Sequence, residues 1–173
     1  LTVGWEPELI RQLLIPVRQK LGIEFIHGLV GDASRIEHAA KSVPTEQFIS
    51  LSKSRAVALP QTDLGLLSCL ESDRVPTIRS MIQGDRVLRH RNEGDALRYA
   101  TLLTRNLEDA IKVHQPDLVL GSHDSIHAGI GLAVSKKNGI PWVTMVFTVI
   151  PDNLTWFSKG LTPDQLVSTG NEV

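Results

Sequence analysis

The stretch Gly121-Ser122-His123-Asp124-Ser125-Ile126-His127 brings two imidazoles, a carboxylate and two hydroxyls together. A carboxylate beside an imidazole orients the ring and raises its basicity, which is what general-base removal of a hydroxyl proton needs. His123 or His127, paired with Asp124, is therefore a candidate base, and Ser122 and Ser125 are candidate substrate contacts. The same residues precede an apolar segment. Asp124 or Ser125 also fits a helix N-cap, with His127 one turn in and packed against a neighbour. The two roles are compatible, because one oxygen can satisfy a backbone donor while another orients a ring. A second cluster is Gly4-Trp5-Glu6. Glu6 reads either as a base or as a first-turn acid favoured by the helix dipole. Trp5 offers an apolar wall for an acceptor ring, and Gly4 is a substrate-contact position beside it.

Other chemistry is missing its parts. Gly31-Asp32, taken with Gly121-Ser122-His123-Asp124, hints at a two-metal phosphoesterase. The Asp-x-His and late Gly-His-x-His segments that would complete two metal sites are not in the chain, so no metal is predicted. There is no G-x-G-x-x-G after the first strand, no G-x-x-x-x-G-K-[ST] and no G-x-S-x-G. No bound cofactor is expected. His27 is predicted to fill a sheet face, and His38, His90 and His114 to lie on the surface. Cys69, the single cysteine, can form neither an internal disulfide nor a thiolate metal site and is predicted to be packed.

These groups must be held by strands and helices, and the apolar pattern supplies both. Leu1–Gly4 is β-like. A helix follows Pro7, with Leu9, Ile10, Leu13, Leu14, Val17 and Leu21 on one face, a kink expected at Pro16 and a cap at Gly22. Ile23–Val30 reads as a strand, Ser34–Lys41 as a short helix, and Phe48–Leu51 and Arg55–Leu59 as further strand candidates. From Thr62 to about Arg91 the chain reads as a solvated region of loops and short helices, broken at Pro76 and Gly84. Glu93–His114 carries one apolar stripe and is the clearest long helix. Asp117–Gly121 is a strand, a helix follows from about Ile126 to Lys137, and Ile140–Ile150 is a strand apolar on both faces. The tail from Leu154 offers only a short helix start at Thr162-Pro163-Asp164. Alternating strands and helices of this kind predict an α/β fold, a Rossmann-like doubly wound and mostly parallel sheet with helices on both faces. Ligands of such sheets sit beyond the carboxyl ends of the strands, where the winding reverses.

Composition sets the outer bounds. The chain has 173 residues, room for one ordinary domain. Lys+Arg 18 against Asp+Glu 19 gives a net charge of -1, so no global field recruits nucleic acid or anionic lipid. An aromatic content of 5% is low for a base-stacking surface. The longest apolar run, Trp142–Ile150, is too short to span a bilayer. The opening Leu1-Thr2-Val3-Gly4, without an initiator Met or a signal-like segment, reads as a start trimmed inside a strand.

The segment His114-Gln115-Pro116-Asp117-Leu118-Val119-Leu120-Gly121-Ser122-His123-Asp124, then Gly129-Ile130-Gly131-Leu132-Ala133-Val134 and Asn138-Gly139-Ile140-Pro141-Trp142-Val143, resembles the N-terminal half of GT-B glycosyltransferases. Leu1–Val30 also looks like that family's opening, whereas Ala39–Asn92 has no counterpart in it. Sugar-nucleotide epimerases of the same architecture carry similar text. The resemblance implies a Rossmann-like acceptor-side domain over residues 1–160, with 161–173 a tail or the start of a linker to a C-terminal domain that binds the donor. It implies transfer of a sugar from a nucleotide-sugar to a hydroxyl acceptor, without metal, in the cytoplasm or peripherally at the inner face of a membrane. The family's bacterial surface-polysaccharide and small-molecule branches are the nearest in kind. In plant-type and macrolide-type members the base is a His just after the first strand, held by an Asp after the "PD" strand. Asp124 matches that Asp region, but the first loop offers Trp5 and Glu6 in place of a His. The base is then Glu6, His123 or His127, or the mechanism differs. Alone, the chain is expected to be inactive. The alternatives are a non-catalytic partner domain of a split glycosyltransferase and an epimerase-like sugar-nucleotide domain.

Overall fold

The structure is a computed structural model that describes residues 1–4, 10–30, 33–52, 59–122, 125–147 and 155–161. The expected α/β architecture is present. Strands β1 (Thr2–Val3), β2 (Ile26–Val30), β3 (Gln47–Ser52), β4 (Val119–Gly121), β5 (Trp142–Phe147) and β6 (Thr155–Ser158) form one sheet in the order β3-β2-β1-β4-β5-β6. The first five are mutually parallel, and β6 closes the edge antiparallel to β5. The order reverses between β1 and β4, which sets the crevice of a doubly wound sheet at their carboxyl ends.

The period-2 alternation of side chains assigns the two faces. Val3, Ile49, Leu51, Val119 and Trp142 join the main core. Thr2, His27, Phe48, Leu120 and Met145 turn to the other face. There Ile10 and Leu14 cover the sheet from a π-helical turn, Ile10–Leu14, that runs into helix α1 (Ile15–Leu21). The expected disturbance at Pro16 takes this form: a proline lacks an N–H, and the wide turn ends just before it. Gly22 caps α1, and its N–H donates to the Arg18 carbonyl at 2.8 Å. Helix α2 (Ala33–Ser42) links β2 to β3.

The main face is covered by α5 (Glu93–His114) and α6 (Ile126–Lys137). The stripe read from the sequence is the buried one: Ala96, Ala100, Leu103, Leu107, Ala110 and Ile111 are all in the core. Burying a leucine such as Leu103 contributes about 1.5–3 kcal/mol. The small residues of α6 let it approach closely. A Cβ at Gly131 would lie 2.7 Å from the Trp142 ring and one at Gly121 only 2.1 Å from it, so this indole fits between β4 and α6 because both positions lack side chains.

Four expectations change. The region 62–91 is not simply solvated. It forms α3 (Leu64–Ser68), α4 (Ile78–Gly84) and a 3-10 turn at Leu88–His90, and it buries Leu67, Leu70, Ile78, Met81 and Leu88 in the main core. Mixed charge hid this, because the apolar residues recur within segments too short to show a periodic face. Cys69 is exposed at the end of α3, not packed. The strand expected over Ile23–Val30 begins only at Ile26. The tail contributes β6, missed because an edge strand of four residues gives little pattern. Residues 53–58, most of the second strand candidate at Arg55–Leu59, lie outside the described residues, as do 148–154 and 162–173. Among the described residues no helix is long and apolar enough to cross a membrane.

Candidate functional site at the strand-order reversal

β1 ends at Val3 and β4 at Gly121, side by side at the reversal, and Gly4 follows β1. Gly4 has φ +75°, a left-handed conformation that side-chain-bearing residues rarely hold, and its N–H donates to the Gly28 carbonyl at 2.9 Å. A Cβ at Gly4 would face Ser122 Oγ at 3.9 Å, so Gly4 and Ser122, the residues that follow β1 and β4, lie side by side where a doubly wound sheet has its crevice. Ser122 is half-buried there. Trp5, Glu6, His123 and Asp124 lie outside the described residues.

Ser125 is the N-cap of α6, with Oγ accepting from Ala128 N–H at 3.4 Å. The next donor is also engaged: Ile126 N–H donates to Asp85 Oδ2 at 3.2 Å. Asp85 follows α4 and is 8% exposed. Its other oxygen accepts from Val87 and Leu88 N–H, both at 2.9 Å, as short polar side chains commonly do two and three residues ahead. Burial opposes ionisation of Asp85, but the hydrogen bonds from Leu88, Val87 and Ile126 outweigh it and hold its pKa below the ordinary aspartate value. A carboxylate native to the protein thus already occupies the start of α6. One donor of this helix end is in use and a negative charge stands beside it, so the end disfavours a further anion.

His127 is the second residue of α6, within its first turn, and half-buried. Its Nε2 shares a 2.6 Å hydrogen bond with the Tyr99 hydroxyl from α5, and the two rings meet edge to face at 5.8 Å. Burial pushes its pKa down to about 4; Asp85 pulls it up, and the Arg35 guanidinium at the start of α2 pushes it further down. The ring is neutral at pH 7, an uncharged hydrogen-bonding group with little drive to take a full proton. The described carboxylate that acts on it is Asp85. The sequence reading missed Asp85, Tyr99 and Arg35. Tyr99 carried one signal, being the chain's sole tyrosine on a strongly amphipathic helix.

No protein-family model, curated protein or solved structure matches this chain.

A second polar cluster lies inside the sheet. His27 is fully buried between Phe25 and Phe48, as expected of a sheet-face residue. Burial lowers its pKa although Glu46 pulls the other way, so the ring is neutral. Its Nε2–H donates to Glu46 Oε2 at 3.1 Å, and Nδ1 accepts from the Thr2 hydroxyl at 2.9 Å. Glu46 is held in turn by Arg18 at 2.6 Å. Thr2, His27 and Glu46 satisfy one another while almost wholly buried, so this chain of bonds fixes α1 to the sheet and offers no access to a substrate. Among the described residues no group of three His, Cys, Asp or Glu side chains is placed to hold a metal.

Proposed function

We propose that this chain is the acceptor-side domain of a GT-B-like glycosyltransferase, and that the β1/β4 crevice receives a neutral, hydroxyl-bearing acceptor. The observation that carries the reading is Asp85 at the head of α6. In a dinucleotide-binding sheet that helix end and its equivalents are free to hold a phosphate. Here a buried carboxylate favours an uncharged ligand, with Ser122 beside Gly4 as its hydrogen-bonding contact. The segments that carry the family resemblance supply β4, the capped helix α6 and the start of β5, the elements around that crevice. In the transfer step the acceptor oxygen bonds to the sugar anomeric carbon as the bond from that carbon to the donor phosphate breaks. The hydroxyl proton passes to a base, Glu6 or a His123 held by Asp124, and the leaving diphosphate is held by a separate donor-binding domain.

A second reading, a binding domain of a split glycosyltransferase without catalytic duty, is favoured by one observation: the neutral His127, with its pKa near 4, is a poor base. Both readings place a saccharide in the crevice. Calorimetric titration with neutral mono- and disaccharides, NAD and a nucleoside diphosphate tests them together. Saccharide binding that is abolished by Ser122→Leu, which fills the crevice, is the expected result. Tight NAD binding, or saccharide binding untouched by that variant, would overturn the reading.

A further inference from the structure

A second cavity, of about 520 Å³, lies apart from the crevice, between α3, α4, the 3-10 turn and the first turns of α5. That volume is in the range of small-molecule sites, roughly 300–1,000 Å³. Its floor is apolar, with Leu67, Ile78, Ile82, Leu88 and Leu97, and Leu64 at its edge is 64% exposed. Three guanidiniums line it: Arg79, Arg89 and Arg91. Among the described residues none of the three forms an ion pair with a carboxylate, and Arg89 Nε donates only to the neighbouring His90. Two carboxylates also line the cavity. Glu71 is engaged in accepting from Ile78 N–H at 3.2 Å, and Glu93 sits in the first turn of α5, where the helix dipole favours it.

Among the described residues Arg105, Lys137 and Arg98 are matched by Asp63, Glu108 and Asp95, while other exposed cations such as Lys20, Lys41 and Lys112 are unpaired but scattered; only at this hollow do three unpaired guanidiniums line one cavity. Three unmatched guanidiniums around an apolar hollow are complementary to a ligand with an anionic head and an apolar body, and guanidinium is the side chain best shaped to grip a phosphate or carboxylate through paired bonds. We propose that this cavity is a binding site for a small amphiphilic anion, with a phosphate or carboxylate head at Arg79, Arg89 and Arg91 and an apolar tail over Leu67, Ile82 and Leu97. The inference is independent of the glycosyltransferase reading, because it uses neither the crevice nor any residue of it.

Titration calorimetry with octyl phosphate below its micelle concentration is the test, with 1-octanol, inorganic phosphate and phosphatidic-acid vesicles as comparison probes. Octyl phosphate is expected to bind at least tenfold more tightly than octanol or inorganic phosphate. The double variant Arg79→Gln/Arg91→Gln, at two exposed positions, is expected to weaken it tenfold or more, and Leu64→Ser several-fold. Equal binding of octanol, unchanged affinity in the double variant, no binding of octyl phosphate at millimolar concentration, or binding to the vesicles alone would each overturn the proposal.

Discussion

Replacing Asp85 with Ala removes the acceptor for three backbone donors at once. Val87 is 61% exposed, so its N–H recovers water. Leu88 and Ile126 are 9% and 1% exposed, and their donors recover little. Each buried donor left unpaired costs about 1–3 kcal/mol, and relief from burying the carboxylate offsets part of the sum. The net expected loss is about 2–4 kcal/mol, a fall in Tm of about 5–15 °C for a domain of this size. The pH dependence gives a second reading of the same contact. A carboxyl whose folded pKa lies below its unfolded value of about 3.9 stabilises the fold above that pH. This contribution is lost as pH falls through the lower, folded value, so the wild type should weaken below about pH 4 and the Ala variant should lose that part of its acid sensitivity. Asp85→Asn keeps an acceptor for the Val87 and Leu88 pair but turns an NH2 toward Ile126, at a cost of about 1–2 kcal/mol. Urea unfolding at pH 7 and pH 3 measures all of these. A loss below 1 kcal/mol in the Ala variant, with an unshifted Ile126 amide resonance, would refute the claim that Asp85 anchors the start of α6.

Two further outcomes follow from the geometry around the crevice. Gly121→Ala drives a Cβ to within 2.1 Å of the Trp142 ring and should cost about 1–3 kcal/mol. Placed on Trp142→Phe the same change should cost at least about 1 kcal/mol less, and additivity in this double-mutant cycle would show that the two do not clash. The His127 imidazole should titrate by NMR near pH 4, well below 6.5. With the folded pKa depressed, the neutral ring stabilises the fold above about pH 6.5. That contribution, on the order of 2–3 kcal/mol, is lost as pH falls from there toward 4. A midpoint above 6 would mean that the ring is solvated and available as a base.

The fold was largely legible because its signals are local and repeated. The stripe of α5, the cap at Ser125 and the continuous apolar run of β5 each depend on neighbours in sequence. The doubly wound architecture also followed, since alternating strands and helices leave few topologies, whereas the place of the reversal, between β1 and β4, needed the strand order itself. For the candidate site, the strand-end position of its described residues was legible and their partners were not. Ser122, Ser125 and His127 were found from a short polar cluster at a strand end, and Gly4 from a strand-end glycine. Asp85 and Tyr99 reach that cluster from 41 and 28 residues away in the chain, and no periodicity encodes such a meeting. The region 62–91 was misread for the related reason that short helices bury their apolar residues against distant partners, a tertiary fact without a local pattern.

The claim that the β1/β4 crevice is the ligand site is tested most directly by mapping amide shifts while neutral saccharides are added. The account predicts saturable shifts at Gly4, Ser122 and Ser125, and silence at Lys136 and Ile140 at the opposite end of α6. Shifts confined to other parts of the sheet, or to the arginine-lined cavity, or none with any saccharide, would contradict it.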